Sequence, residues 1–207
     1  SMATLKVSFE NREKLISEFN SFFRENADNP RFKYKSIIIK GSNDKSSLSD
    51  LLQLLQRNQI CYTLAGNTGK KYKGFDYSAN AEGETTIEKG DILVSAYQPQ
   101  SRLVEVLFEP DSRVTDSLSY DLTAWALPYA YNIKAFALPE KIIPAGKVPE
   151  NSISGNKPLD YKPYAYLVNF TGFNEMKFIT DLQKKNIKVR YCIKPFTFFG
   201  TNFTRGS

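Results

Sequence analysis

Histidine is absent from all 207 residues. It is the usual base beside a nucleophilic Ser or Cys and the commonest ligand of catalytic zinc, so Ser-His-Asp, Cys-His and HExxH-type chemistry are excluded together. Cysteine occurs only as Cys61 and Cys192. That is too few for a disulfide scaffold, and a chain of this length builds a core without one. Eleven glycines and ten prolines exclude collagen-like and low-complexity classes. No apolar run approaches the roughly 20 residues of a membrane helix, and no basic start leads into an apolar stretch of the secretion-signal kind. What is present is 41% hydrophobic, 14% aromatic and 24% charged, the composition of a folded protein in water. Carboxylate-pair, Ser-Lys, Schiff-base and cofactor-borne catalysis stay chemically open, and none leaves a distinct motif.

Ser1-Met2 has the form of a tag remnant and is set aside with the N-terminal helix as residues 1–31. From Asn11 to Asn26, Leu15, Ile16, Phe19, Phe22 and Phe23 fall on one stripe of an amphipathic helix. Ile37-Ile38-Ile39, within Phe32 to Lys40, is a β-branched run expected to form a central strand covered on both faces. Capping residues from Gly41 to Ser47 precede Leu48, Leu51, Leu52 and Leu55, which have helical spacing, and Gln59 to Leu64 reads as a second strand. Residues 34–64 therefore predict a strand-helix-strand unit with a parallel crossover, and an α/β class with a mostly parallel sheet. Ala65 to Gly83 reads as a polar loop, Thr85 to Ile87, Asp91 to Ala96 and Ile133 to Ala137 as strands, and Arg102 to Phe108 and Tyr120 to Tyr131 as helices, the second bending near Pro128. An α/β domain over 32–138 follows.

Five of the ten prolines lie in 139–163, which predicts an extended connection to a second unit over 164–207. That unit has an apolar opening from Tyr164 to Val168, a helical stripe of Phe178, Ile179 and Leu182, and a strand from Ile187 to Ile193. A shift of 127 residues lays Leu55-Gln56-Arg57-Asn58-Gln59-Ile60 over Leu182-Gln183-Lys184-Lys185-Asn186-Ile187, so the second unit reads as an incomplete copy; shared ancestry and shared crossover physics explain the match about equally. Lys89-Gly90-Asp91 leads into the strand Ile92-Leu93-Val94, and Arg205-Gly206-Ser207 resembles that lead-in. The expectation is a truncated unit with an unpaired sheet edge and a tendency to self-associate. A natural, unstructured tail is the alternative.

The block Ser119-Tyr120-Asp121-Leu122-Thr123-Ala124-Trp125-Ala126-Leu127-Pro128, followed by Asn132-Ile133-Lys134-Ala135, resembles a stretch downstream of the catalytic domain in large bacterial zinc carboxypeptidases of the carboxypeptidase A and T type. Gly90 to Val94 leading to Gln98-Pro99-Gln100-Ser101-Arg102-Leu103, and Tyr164 to Tyr191, are similar in the same order. The likeness spans about Tyr34 to Gly206. It implies a flavodoxin-like or class I glutamine amidotransferase-like fold with helices on both faces of the sheet. It also implies a periplasmic or secreted parent chain whose zinc lies in a peptidase domain of the same polypeptide. The metal site of that family, a His-x-x-Glu pair with a second His and a Glu base, maps onto no residue here, so this region reads as a non-catalytic accessory domain without a cofactor of its own, serving domain packing or substrate presentation. The alternative is a free-standing flavodoxin-like module or enzyme using carboxylates or lysines.

Asp121, Thr123 and Trp125 are candidate groove or interface residues, weighed against a capping acid and a core aromatic. Gln98, Gln100 and Arg102 follow the C-terminal end of a predicted strand, where open α/β sheets bind ligands, weighed against a plain helix start. Cys61 and Cys192 read as buried free thiols in strands. Gly66 to Lys71 fails the phosphate-loop spacing, and the sequons at Asn169 and Asn202 are of a kind that arises by chance. Residues 163–207 carry seven basic and two acidic residues of a chain whose net charge is +6. Lysines at a helix C-terminus account for that surplus better than a nucleic-acid surface does.

Overall fold

The structure, a computed structural model, describes residues 2–66, 69–110, 126–149, 163–168, 170, 172–203 and 205–206. Its centre is β1 (Ser36–Ile39), where the three isoleucines and Ser36 are all buried. On one side β1 pairs with β5 (Ile92–Ser95), on the other with β6 (Ala135–Leu138), both antiparallel. Beyond β5 lie β2 (Thr63–Ala65) and then β7 (Pro144–Gly146). Beyond β6 lies the hairpin of β3 (Lys71–Asp76) and β4 (Ala81–Thr86). The order is β4-β3-β6-β1-β5-β2-β7, with every neighbouring pair antiparallel.

A mostly parallel, flavodoxin-like or amidotransferase-like sheet is therefore wrong. β1 and β2 do run in the same direction, as their connection through α3 (Lys45–Arg57) predicts, but β5 lies between them and bonds both. Apolar periodicity marks a strand and the faces it buries; it does not name its neighbours. Taken in chain order, β1-α3-β2-β5-α4-β6 with strands arranged β6-β1-β5-β2 is the split β-α-β topology of ferredoxin-like domains. Here α4 is Ser101–Phe108, and the short α5 (Leu127–Ala130) precedes β6. The expected polar loop over 65–83 is corrected as well, since most of it builds the β3–β4 hairpin, where Gly74 is backed so closely by the Ala137 carbonyl that a Cβ would not fit.

Among the described residues, the helices packed on the sheet cover one face, not both as expected. Ile37, Ile39, Ile92, Val94, Ala135 and Ala137 pack there with Leu51 and Leu55 of α3 and Val104 and Phe108 of α4. The opposite face gathers Ile38, Leu93, Phe136 and Leu138 under Tyr72, Ile87 and Ile142, none of them helical. Alternation along β1 sends Ile37 and Ile39 one way and Ile38 the other, which is how an unbroken apolar strand serves two clusters. α3 starts where the Asp44 carboxylate accepts the Ser47 N–H at 2.9 Å, a cap worth about 1 kcal/mol. The N-terminal helices α1 (Met2–Glu10) and α2 (Arg12–Asp28) stand largely apart: α2 buries Asn26 and leaves Leu15, Ile16, Phe19 and Phe22 exposed. No described helix is long and apolar enough to cross a membrane. In the second unit α6 (Phe173–Lys184) is followed by a small hairpin of β8 (Phe196–Phe198) and β9 (Thr201–Phe203), while 187–193 forms no strand.

One buried ion pair closes the sheet end. Asp91, 1% exposed, receives the Lys40 ammonium at 2.6 Å, the Gly41 N–H at 2.9 Å and the Glu88 N–H at 2.9 Å. Lys40 also donates to the Thr86 carbonyl at 3.0 Å and meets Glu88 at 3.3 Å. Removing one partner strands the other's charge in the interior, whereas removing both is far cheaper. Asp91→Ala is thus expected to lower unfolding stability by about 3–5 kcal/mol. The double change Lys40→Met with Asp91→Leu should recover most of that loss. Urea denaturation of both variants checks this; equal losses would contradict it.

Candidate functional site

Of the residues singled out in the sequence, Gln98, Gln100 and Arg102 gather where β5 passes into α4, and each has a different fate. Gln98 is buried and fully engaged. Its amide oxygen accepts the Cys61 N–H at 2.7 Å, and its Nε2 donates to the Ser95 carbonyl at 2.6 Å and the Cys61 carbonyl at 3.2 Å. The side chain ties the approach to β2 onto the end of β5. Gln100 occupies the residue before α4 and makes no side-chain cap. Arg102 pairs with Glu105 at 2.9 Å, one turn along the same helix. Asp121, Thr123 and Trp125 lie outside the described residues, as do Asn67 and Thr68 of the glycine-rich loop. Lys70 of that loop holds Glu140 at 3.0 Å across the surface, and this hydrogen bond and charge raise its pKa.

Arg102 also borders a cleft of about 360 Å³ between the C-terminal end of α2 and the start of α4. Arg24, Asn26 and Arg31 line it from the α2 side, with Glu25 and Asp28 beside them. The lining thus holds three guanidinium groups against two carboxylates. Asn26 is only 6% exposed, and its Nδ2 finds no acceptor. The wholly buried Ser101 hydroxyl at the head of α4 is unpartnered too. Buried donors without acceptors are costly, so Asn26 gives this cleft hydrogen-bonding capacity to spare; of the other unpartnered buried atoms, Ser101 Oγ heads α4 next to Arg102 and Glu175 Oε2 lies on α6. No local spacing brings Arg24 and Arg31 to Arg102. Sequence reasoning therefore could not find it.

The thiols differ from expectation. Cys61 is exposed and Cys192 intermediate, both free, and neither sits in a strand, because β2 begins only at Thr63 and 187–193 lacks a ladder. Among the described residues no three His, Cys, Asp or Glu side chains converge as a zinc ion would need, and the buried Asp91 carboxylate is taken up by nitrogen donors.

Behind α4, the Tyr77 hydroxyl donates to the carbonyl of Phe108, satisfying one of the helix's orphan C-terminal acceptors. Its ring packs edge-on to Phe75 and Tyr129, 5.5 Å between centroids in each case. Burial, then the neighbouring phenols of Tyr129 and Tyr34, pushes its pKa well above the ordinary value.

Comparison with known proteins yields no match: no family model, no curated protein and no solved structure matches this chain.

The Tyr77 shift has a definite sign. Above about pH 10 the unfolded chain releases the phenolic proton while the folded one keeps it, so stability is intact below that pH and falls as pH rises beyond it. The slope from this group is at most about 1.4 kcal/mol per pH unit. Tyr129 and Tyr131, also raised, contribute in the same direction. Tyr77→Phe should cost about 1 kcal/mol at neutral pH and flatten the alkaline decline. Urea melts between pH 8 and 11 report it; an unchanged slope would count against the assignment.

Proposed function

We propose that this chain is a non-catalytic accessory module that packs against a catalytic partner. On the resemblance described above, that partner is the peptidase domain of a periplasmic or secreted zinc carboxypeptidase, and the zinc belongs to that domain. The reading is carried by how the side chains are used. Gln98, Lys40, Asp91 and Tyr77 spend their bonding capacity inside the fold, while large apolar groups are left on the outside. Leu15, Ile16, Phe19 and Phe22 make one exposed stripe along α2, a surface of the kind that marks a protein contact. A flavodoxin-like ligand module loses its support with the antiparallel sheet. The module by itself should neither retain zinc after dialysis nor trim C-terminal residues from short peptides. It should bind a separately produced zinc carboxypeptidase domain of the A and T type. Phe19→Asp with Phe22→Asp should weaken that binding about tenfold or more without altering the melt of the sheet domain. Turnover by the module alone, or binding indifferent to these changes, would defeat the reading.

A second reading rests on the arginine cleft: recognition of a small oxyanion by Arg24, Arg31 and Arg102, with the Asn26 amide as a further donor. Titration with inorganic phosphate should raise the melting temperature, and Arg31→Ala should weaken binding about tenfold. No shift with phosphate would exclude it.

A further inference from the structure

An inorganic oxyanion by itself does not match the cleft between α2 and α4. The volume, about 360 Å³, falls within the range of roughly 300–1,000 Å³ typical of clefts that hold organic ligands, so a bare phosphate would leave most of it to water. The lining is also of two kinds. Arg24, Arg31, Arg102 and the amide nitrogen of Asn26 only donate, whereas the carboxylates of Glu25 and Asp28 only accept. Among the described residues Arg102 has Glu105 as an ion-pair partner at 2.9 Å, while Arg24, Arg31, Glu25 and Asp28 form no ion pair. Both signs of charge are thus present at the cleft without neutralising each other, and both are available to a ligand.

The donors specify one end of that ligand. Asn26 is the one buried residue of α2, and its Nδ2 has no acceptor. Arg102 and the unpartnered Ser101 hydroxyl stand on the first turn of α4, whose leading N–H groups receive no side-chain cap. A buried amide donor, guanidinium groups and an uncapped helix start are met together by a group with several acceptor oxygens and more than one negative charge, which a phosphate monoester supplies better than a carboxylate. The acceptors specify the other end. Glu25 and Asp28, three residues apart on α2 and so neighbours on its surface, would repel a naked anion held beside them and need donors from whatever carries it. Ammonium groups would supply donors, but guanidinium groups outnumber carboxylates three to two in this lining, so a further cation is repelled. Hydroxyl groups donate without adding charge.

We propose that the cleft binds a sugar phosphate, with the phosphate on Arg31, Arg102 and Asn26 Nδ2 and two sugar hydroxyls on Glu25 and Asp28. This rests on the oxyanion reading of the same cleft and adds the body to which the anion is attached. Phe22 also lines the cleft, set edge-on to Phe23 with ring centroids 5.2 Å apart, and offers apolar contact to a flat ring joined to the sugar. Ribose 5-phosphate and a nucleoside 5′-monophosphate are therefore two sources of the same chemistry.

Isothermal titration of the whole chain with inorganic phosphate, phosphoethanolamine, ribose 5-phosphate and adenosine 5′-monophosphate tests this. Ribose 5-phosphate should bind about tenfold more tightly than phosphate. Glu25→Ala with Asp28→Ala should bring those two to equal affinity, by weakening the sugar phosphate and strengthening the bare ion, a convergence that loss of folding would not produce. Arg31→Ala should weaken every phosphorylated ligand about tenfold. Tighter binding of the nucleotide than of ribose 5-phosphate, with the margin lost in Phe22→Ala, assigns the nucleotide as the source; equal binding of the two assigns the sugar phosphate alone. Phosphate binding as tightly as ribose 5-phosphate, or phosphoethanolamine binding more tightly than it, overturns the sugar phosphate and leaves the oxyanion reading standing. Binding of none of the four ligands overturns both.

Discussion

A split β-α-β unit makes its two parallel members hostages to the strand between them. β1 and β2 are joined by α3 and share a core with it, yet no backbone bond passes from one to the other; their ladders meet only in β5. What seats β5 is Asp91, the residue immediately before it, whose carboxylate collects the Lys40 ammonium from the end of β1 and the N–H groups of Gly41 and Glu88. The contact is so close that Gly41 leaves no room for a Cβ beside the Gly90 carbonyl. A charge that deep is tolerable only because every donor around it is aimed inward. The middle strand is thereby fixed in register as well as in place.

The same arrangement explains why two segments of similar sequence behave differently. Ile60 is buried in the core, and Ile187, its equivalent at the 127-residue shift, is exposed. The helices and their C-terminal caps are alike, down to the left-handed residue after each. Helix caps are local, satisfied within one turn, so they form wherever the residues for them occur. Strands are not local. Residues 187–193 have the alternation of a strand, yet among the described residues they belong to no ladder.

That contrast also decides what could be read from the sequence. The stripe Leu48, Leu51, Leu52 and Leu55 placed α3, the span Arg102 to Phe108 placed α4, and Ile37-Ile38-Ile39 placed the central strand, because each pattern is complete within a dozen residues. The order of the strands was not legible. Nothing in Ile92-Leu93-Val94 says that it slips between β1 and β2; the mostly parallel sheet was the outcome of assuming that successive strands are neighbours, and helices on both faces came with the resemblance. The β3–β4 hairpin was missed because Lys71, Gly74, Asp76, Gly83 and Glu84 have loop-like chemistry; its partners are chosen by the edge of β6. For the site, Gln98 was found for the wrong reason, as a ligand residue instead of a clamp. Lys40, standing directly after three isoleucines, was the one overlooked signal, since a cation in a buried strand implies a buried acid. Arg24 and Arg31 reach Arg102 only through the packing of α2.

The dependence of these segments on a pairing strand can be measured directly by native-state hydrogen exchange of the unmodified chain, followed residue by residue. The amides of Ile37–Ile39 and Ile92–Val94 are predicted to exchange only through global unfolding, those of α6 through smaller openings, and those of 187–193 at nearly the rate of an unstructured peptide. Protection of 187–193 equal to that of β1 would contradict the account.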